Sequence, residues 1–354
     1  MRKFAIIYLA PWDHFKAESG FNVVGFKIKD ILNSKHHTRF ISDTNITILE
    51  RILFRIFKMV ELSYAEKKNW SPFNQELNVL RSIAFFYRVS FKNTTIILLA
   101  PEDQYCGKFL SSYNLRKNTI LFIHQPPSWF IKEKIDISSL KDIKEIIVLS
   151  ESQKKYFEEK LSRPIILIKH GVDLSSFVIT NAPKKNSVLI VGQHLRDFEA
   201  IVNTVKNVRL FKSDIEFHFV IPTKHRPEIL NEIFDLEKVY FHDNIPTTEL
   251  VDLYNQAKVT FLPLKDSTAN NTINESFACG TPILTNNVGG LSNYFSDECG
   301  IICSGLDPEE YSQAILRIMN DDVSYSPQRI RKFAELHFNW STIINSNLVS
   351  KIIN

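Results

Sequence analysis

Phe261-Leu-Pro-Leu-Lys265-Asp-Ser-Thr-Ala-Asn270-Asn-Thr-Ile-Asn-Glu275-Ser-Phe-Ala-Cys-Gly280-Thr-Pro-Ile-Leu-Thr-Asn-Asn-Val-Gly-Gly290 is the stretch whose reading decides the fold. It opens with the end of an apolar run, at Leu264. A polar turn follows, holding Asp266, Ser267, Thr268, Asn270 and Asn271. A helical stretch then runs to Gly280, a residue suited to stop a helix, and Pro282 opens the next strand. The turn therefore lies at the carboxyl end of a strand and the amino end of a helix. Open α/β sheets bind their ligands there. Free backbone amides and the helix dipole at such a turn suit a diphosphate. Glu275 sits one turn further in, where a carboxylate can accept hydrogen bonds from two ribose hydroxyls.

The same alternation extends in both directions. Short Ile-, Val-, Leu- and Phe-rich runs occur at Phe4–Leu9, Thr95–Leu99, Ile120–Ile123, Glu145–Leu149 and Pro164–Ile168. After a break they resume at Ser187–Val191, Ile215–Val220, Val239–Phe241, Val259–Leu262, Pro282–Leu284 and Gly300–Cys303. Runs apolar on every residue suit strands buried on both faces of a parallel sheet. Helical stretches intervene, including Glu151–Leu161, Thr247–Gln256, Asn270–Cys279 and Pro308–Met319. The pattern predicts doubly wound α/β architecture. The polar, proline-bearing segment 172–186 reads as a linker between two Rossmann-like domains, 1–175 and 186–337. Pro327–Ile353 reads as helical throughout, with a helix near 338–354 crossing back to the first domain.

Composition narrows the class. A chain of 354 residues with 44% hydrophobic and 23% charged residues has material for two ordinary globular cores. Cys106, Cys279, Cys299 and Cys303 are too few and too scattered for a disulfide framework. The apolar run before Pro11 is too short for a signal peptide, and no run reaches the roughly 18 residues of a membrane span. The expected location is the cytoplasm. Charge is uneven: residues 1–180 hold 27 Lys+Arg against 18 Asp+Glu, and residues 181–354 hold 16 against 21. The first half thus suits an anionic partner, with a membrane surface and a phosphorylated acceptor fitting equally well. Nucleic acid is not expected, because no recognition motif for it is present. Residues 48–62 place Leu49, Ile52, Leu53, Ile56, Phe57 and Val60 against Arg51, Arg55 and Lys58. Such a helix either covers its own domain or lies on anionic lipid at the inner face of the membrane. Trp129-Phe130 has a similar pair of readings, acceptor or lipid contact and simple packing.

The 261–290 stretch closely resembles the nucleotide-sugar signature of retaining glycosyltransferases of the GT-B fold, family 4 in particular. Glu275-Ser-Phe-Ala-Cys-Gly280-Thr-Pro282 matches the second half of that signature, and Gly289-Gly290 the glycine pair that follows. The first Glu of the pattern, which contacts the transferred sugar in the family, falls at Ser267. Asp266 or Asn270 stands near enough to take its role. Val191-Gly192-Gln-His194-Leu-Arg196-Asp197 resembles the glycine turn that opens the second domain, whose Arg holds the donor diphosphate. A planar guanidinium suits that task. The second basic residue usual in the family is absent; Lys224, His225 and Lys265 are candidates to compensate. His170-Gly171-Val172-Asp173 resembles the interdomain turn. Phe122-Ile123-His124-Gln125-Pro126-Pro127 ends a strand with a His where the family often places one near the donor sugar, and Asp13 to Gly25 fills the first βα loop. Ser150-Glu151-Ser152 resembles the strand-to-helix junction before the linker.

The resemblance implies a GT-B protein, two Rossmann-like domains with parallel sheets facing a central cleft. It implies transfer from a nucleotide-sugar such as a UDP- or GDP-sugar onto a glycan, lipid-linked or other acceptor. Anomeric configuration would be kept, no metal or other cofactor used, and bacterial surface polysaccharide synthesis would be the setting. His124, Arg196 and Asp266 are the expected catalytic residues. Gly192, Arg196, His242, Ile245, Ser267, Thr268, Asn270, Asn271, Thr272 and Glu275 are the expected donor-binding set, with the base near His242–Ile245. Plain alternatives exist for several: Arg196 as a surface residue, Glu275 as a solvated helix residue, His124 as a core histidine, and Asp266, Ser267 and Asn270 as helix caps. A sugar-nucleotide epimerase or a phosphorylase is a rival within the fold. A non-catalytic GT-B relative that binds a sugar nucleotide or a partner protein is a rival outside enzymology.

Overall fold

The computed structural model describes residues 3–8, 21–33, 37–41, 94–99, 117–345 and 348–349. The chain divides into two compact units. One comprises 1–168 with 340–354, the other 169–339.

The first unit carries strands β1 (Lys3–Tyr8), β2 (His37–Ile41), β3 (Thr94–Leu99), β4 (Thr119–Ile123), β5 (Glu145–Val148) and β6 (Ile166–Leu167). They form one sheet in the order β2-β1-β3-β4-β5-β6, every pairing parallel. Helix α1 (Phe21–Asn33) follows β1, α2 (Pro127–Lys132) follows β4, and α3 (Glu151–Leu161) follows β5. The strands alternate which face each residue covers, and both faces are buried. Ile96, Leu98, Leu121, Ile123, Ile146 and Val148 pack on Phe130, Phe157 and Leu161. Ile97, Leu99, Ile120, Phe122 and Ile147 pack with Val24, Ile28 and Leu32 of α1 and with Trp340, Ile344 and Val349. This two-sided burial is why these strands lack polar alternation. Phe130 is buried, 5.0 Å from Trp129 and 5.2 Å from Phe157 between ring centres, so packing is the role of Phe130.

The second unit carries β7 (Lys185–Val191), α4 (Phe198–Phe211), β8 (Glu216–Val220), β9 (Val239–His242), α5 (Thr247–Gln256), β10 (Ala257–Leu262), α6 (Asn271–Ala278), β11 (Ile283–Asn286), β12 (Gly300–Cys303), α7 (Pro308–Met319) and α8 (Pro327–His337). A short helix, α9 (Trp340–Ile343), begins the return to the first unit. Its sheet runs β12-β11-β10-β7-β8-β9, all parallel. The chain starts in the middle, at β7, builds outward to β9, then restarts on the other side at β10. The switch point lies between the carboxyl ends of β7 and β10. Val188 and Ile190 of β7 face α4 and α7, while Leu189 and Val191 face α5, α6 and α8.

Several expectations need correction. Pro327–Ile353 is not one helix. Phe338 leaves helical geometry (φ −127°, ψ 11°), its carbonyl accepts from Val172 N at 2.7 Å, and Asn339 forms a parallel bridge with Val172. That strand-like pairing ends the helix. Phe21–Gly25 belongs to α1 and not to a loop; residues 9–20 of that loop, the 48–62 stretch and Cys106 lie outside the described residues. Pro164–Ile168 shortens to the two-residue β6, and β2 is a strand that no apolar run announced. Residues 172–184 pack within the second unit: Asn255 accepts from Thr180 N at 2.8 Å and donates to Val178 O at 2.9 Å. Arg331 of α8 donates to the carbonyls of Leu174, Phe177 and Ala278. Cys279, Cys299 and Cys303 are buried free thiols.

Candidate functional site

Two loops meet at the switch point of the second sheet. The one after β7 pairs with the one after β10: Arg196 and Leu264 form an antiparallel bridge, Asp197 N donates to Pro263 O at 3.0 Å, and Lys265 N donates to Leu195 O at 2.9 Å. Asn286, at the end of β11, grips the second loop from the other side. Its Oδ1 accepts from Leu264 N at 2.8 Å and its Nδ2 donates to Leu264 O at 2.9 Å. Gly290 N donates to Ser267 O at 2.7 Å, and Ser267 N to Asp266 Oδ1 at 2.7 Å. Gly289 has φ +58°, and a Cβ there would lie 2.0 Å from Ser267 O and 2.6 Å from Asp266 Oδ1. Only glycine allows the 266–267 turn to lie so close. Gly192 holds left-handed geometry (φ +76°) beside Arg196, whose Nη2 would stand a tight 3.3 Å from an added Cβ.

Arg196 is 6% exposed. Its Nε and Nη2 donate to Val191 O at 3.2 and 2.8 Å, and Nη1 to His194 O at 2.9 Å. Nη2 also reaches Thr272 Oγ1 at 3.0 Å and Asn270 Oδ1 at 3.4 Å. A guanidinium has five N–H groups, so this arrangement leaves one, on Nη1. Arg196 is thus a positive charge built into the first turn of α6 more than an open fork. Asn270 caps α6 by accepting from Thr272 N at 3.0 Å. Asn270 is therefore a cap and not the first helical residue; Asn271 starts α6 with an exposed side chain, and Thr272 is buried.

Glu275 is 8% exposed, and Tyr254 Oη donates to its Oε2 at 3.0 Å. Burial pushes its carboxyl up to about 7, against the opposing pull of the Tyr254 hydrogen bond and the Arg196 charge. Burial brings Arg196 down to about 10, so it stays charged near neutral pH. Ser267 Oγ and Asn274 Oδ1 are buried without a hydrogen-bond partner among the described residues. Buried polar atoms are rarely left so unless a water or a ligand completes them. Asn274 Nδ2 meanwhile donates to His170 O at 2.9 Å, and Tyr294 Oη accepts from His170 N at 2.7 Å, fixing the 170–173 turn.

The structure brings Gly192, Arg196, Asp266, Ser267, Thr268, Asn270, Asn271, Thr272 and Glu275 to this one switch point. His242 ends β9, one strand beyond β8 on the other side of β7. It shares a 3.0 Å contact from Nε2 to His218 Nδ1, with the rings stacked at 5.3 Å, and Glu249 lies 3.8 Å from its Nδ1. Ile245, itself partly buried, follows in the otherwise exposed loop before α5. His124 follows β4 in the first unit and is partly buried. Lys265 is exposed, 3.8 Å from Asp197. The sequence did not single out Tyr254, Asn286 or His218; Asn286 lies within the 261–290 stretch, whereas Tyr254 and His218 fall in no motif.

Residues 185–321 match the family model described as glycosyl transferases group 1. The D-inositol 3-phosphate glycosyltransferase of Acidothermus cellulolyticus is 31% identical over 113 residues, 32% of this chain and 25% of that protein. That of Corynebacterium urealyticum is 27% identical over 120 residues, 31% of this chain and 28% of that protein. The matched stretch thus spans about a quarter of these relatives' length. Among solved structures, sucrose-phosphate synthase from Thermosynechococcus elongatus superposes with a TM-score of 0.71 at 16% identity, covering 97% of this chain and 96% of that one. HepE of Anabaena, in complex with UDP and glucose, gives 0.69 at 11% identity over 99% of each chain. At such identities the likeness speaks for the fold, which is the α/β GT-B class that the sequence led one to expect. No helix among the described residues is long and apolar enough to cross a membrane.

Proposed function

We propose, on the match of residues 185–321 to the group 1 glycosyltransferase model, that the chain moves a hexose from a nucleotide-sugar onto a hydroxyl acceptor. One observation carries the reading: a buried arginine braced under the amino end of α6, at the sheet's switch point, with Glu275 one turn further in. In transfer, an acceptor oxygen bonds to the anomeric carbon as the bond to the diphosphate oxygen breaks, and the acceptor's proton is lost. Negative charge grows on the departing diphosphate. The amino-end amides of α6 that the Asn270 cap does not take, the α6 dipole and the Arg196 charge with its remaining Nη1–H are set to meet that charge without reorganising. Glu275 takes the ribose hydroxyls. The orphaned Ser267 Oγ and Asn274 Oδ1 supply polar contacts that a bound ligand would complete. His124 and Asp266 keep the sugar-facing roles that the family resemblance implies, and the 242–245 loop keeps the base.

The acceptor favoured by charge is anionic. Residues 1–180 carry 27 Lys+Arg against 18 Asp+Glu, and the related inositol 3-phosphate enzymes are named for a phosphorylated acceptor. A lipid-linked phosphoglycan at a membrane face would suit the same basic half. Retention, metal independence and a place in surface polysaccharide synthesis belong to this proposal too.

A thermal-shift screen against UDP, GDP, ADP and their common sugar conjugates tests it. A ligand of the folded state at a hundred times its dissociation constant adds about 2.7 kcal/mol. The expected result is a rise with one nucleotide family, lost in Arg196→Ala and Glu275→Ala. Absence of any rise from folded protein would overturn the reading. A rise without turnover of donor in the presence of acceptors would favour the non-catalytic reading, which Ser267 at the place of the usual Glu keeps in view.

A further inference from the structure

Tyr254 sits near the end of α5, in the run Leu253-Tyr254-Asn255, with no motif around it. It is fully buried, its ring 6.4 Å from that of Phe177 and nearly perpendicular to it. Both its ends are tied. Its hydroxyl donates to Glu275 Oε2 at 3.0 Å. Its carbonyl accepts from Thr281 Oγ1 at 2.5 Å, and Lys184 Nζ in turn donates to Thr281 Oγ1 at 3.0 Å and to Ala257 O at 2.7 Å. A tyrosine serving only the core could satisfy its hydroxyl on a backbone carbonyl. This one is directed at an acid that faces the nucleotide site.

The groups around Glu275 come from three elements. Arg196 approaches from the loop after β7, Tyr254 from α5, and Cys279 lies one turn along α6 with Lys184 and Arg331 beside it. Desolvation disfavours the Glu275 carboxylate, while a hydroxyl donor and a cation favour it. Tyr254 is pushed well above its ordinary range by burial and by Glu275, so it remains a proton donor throughout. The geometry is that of a clamp: Tyr254 takes one carboxylate oxygen, and among the described residues the other oxygen makes no hydrogen bond.

We propose that Tyr254 is a positioning residue for nucleotide recognition: its hydroxyl holds one oxygen of Glu275 so that the other meets the ribose as an ionised acceptor, and nucleotide binding releases a proton to solvent. This rests on Glu275 being the ribose ligand. Bound ribose hydroxyls donate to the carboxylate, so they select its ionised form. Affinity then falls as pH falls, by up to about tenfold per unit below the midpoint of Glu275. Removing the Tyr254 hydroxyl raises that midpoint, because the carboxylate loses a donor and its desolvation remains.

Calorimetric titration with UDP, GDP and ADP, in two buffers of different ionisation enthalpy, reads proton release and affinity together. Wild-type protein releases about half a proton near pH ~7, more at lower pH, and little near pH ~9, where Glu275 is already ionised. Tyr254→Phe keeps the ring; it binds about tenfold more weakly near pH ~7 and recovers to about wild-type affinity near pH ~9. Glu275→Gln binds weakly at every pH and releases no proton. An equal loss at all pH values in Tyr254→Phe would assign the hydroxyl to the fold alone and overturn the inference. The carboxyl carbon signal of Glu275, identified by its loss in Glu275→Gln, gives a ligand-free readout, and its titration midpoint moves up in Tyr254→Phe. If it moves while no nucleotide binds, the clamp stands without the nucleotide reading. If nucleotides bind and neither the midpoint nor the pH profile moves, the reading stands and the clamp is refuted.

Discussion

Arg196 shows how a residue legible in sequence acquires a different role in structure. Its place after a strand-end glycine marked it as a ligand of the donor diphosphate. Its burial against Val191 O, His194 O, Asn270 and Thr272 makes it a fixed charge with one donor to offer. Glu275 is the other half of that economy, and its protonation has a consequence for stability. An unfolded Glu titrates near 4.5, whereas the folded one is pushed up to about 7. Between those values the folded state holds the extra proton, so stability falls as pH rises through that window and levels off above it. Glu275→Gln removes the penalty. Denaturant unfolding should show the variant gaining on wild type by up to about 3 kcal/mol between pH ~5 and pH ~8; parallel curves for the two proteins would contradict it. Gly289 offers a sterner test. Gly289→Ala places a methyl at 2.0 Å from a backbone oxygen, in left-handed geometry. A loss of about 2 kcal/mol or more, with nucleotide binding abolished even where the protein is folded, is the expected outcome.

At the scale of elements, the sequence was readable wherever local chemistry and tertiary demand agreed. α3, α5 and α7 occupy the residues the pattern gave them. Ser150 and Gln153 form a capping box, and Pro308 follows an Asp307 cap, so those helix starts were written locally. β2 was not readable: His37-Thr-Arg-Phe-Ile41 is an edge strand whose order comes from pairing with β1. The end of α8 was not readable either, since it depends on a bridge to Val172 more than 160 positions away. Of the site, Arg196 and Glu275 were found by spacing against Gly192, Gly280 and Pro282, while Tyr254 joins them only through the packing of α5 on α6. Asn270 couples local and tertiary roles, as cap of α6 and partner of Arg196. Asn270→Ala should cost about 1 kcal/mol as a lost cap. It should also weaken nucleotide affinity beyond what that cost explains, whereas Asn270→Asp should restore the cap and bring a negative charge beside the diphosphate, leaving affinity low. Equal affinities in the two variants and wild type would confine Asn270 to capping.

For the molecule as a whole, the division into units puts the tail of the chain in the service of its beginning. Trp340, Ile344 and Val349 are buried among Phe4, Ile6, Val24, Ile28 and Leu32, and Lys27 Nζ donates to Ser341 Oγ at 3.1 Å. Residues 169–339 meanwhile hold a complete parallel sheet, helices on both its faces, and Arg196, Glu275 and Tyr254 together. The two units should therefore respond differently to truncation. Ending the chain at Asn339 strips the first unit of a buried Trp and two aliphatic side chains. Loss of a buried Trp alone typically costs about 3–5 kcal/mol, a large part of a domain's stability. The second unit keeps its core and its switch-point loops. Calorimetric melting of the truncated chain should show one transition lost or moved far down and one retained. The retained transition should still rise with the nucleotide that stabilises the full chain, by a comparable amount, because every residue proposed to hold the diphosphate and ribose is present. A single cooperative loss of both transitions would mean that the second unit draws its stability from the first, and that recognition of the nucleotide is a property of the whole chain.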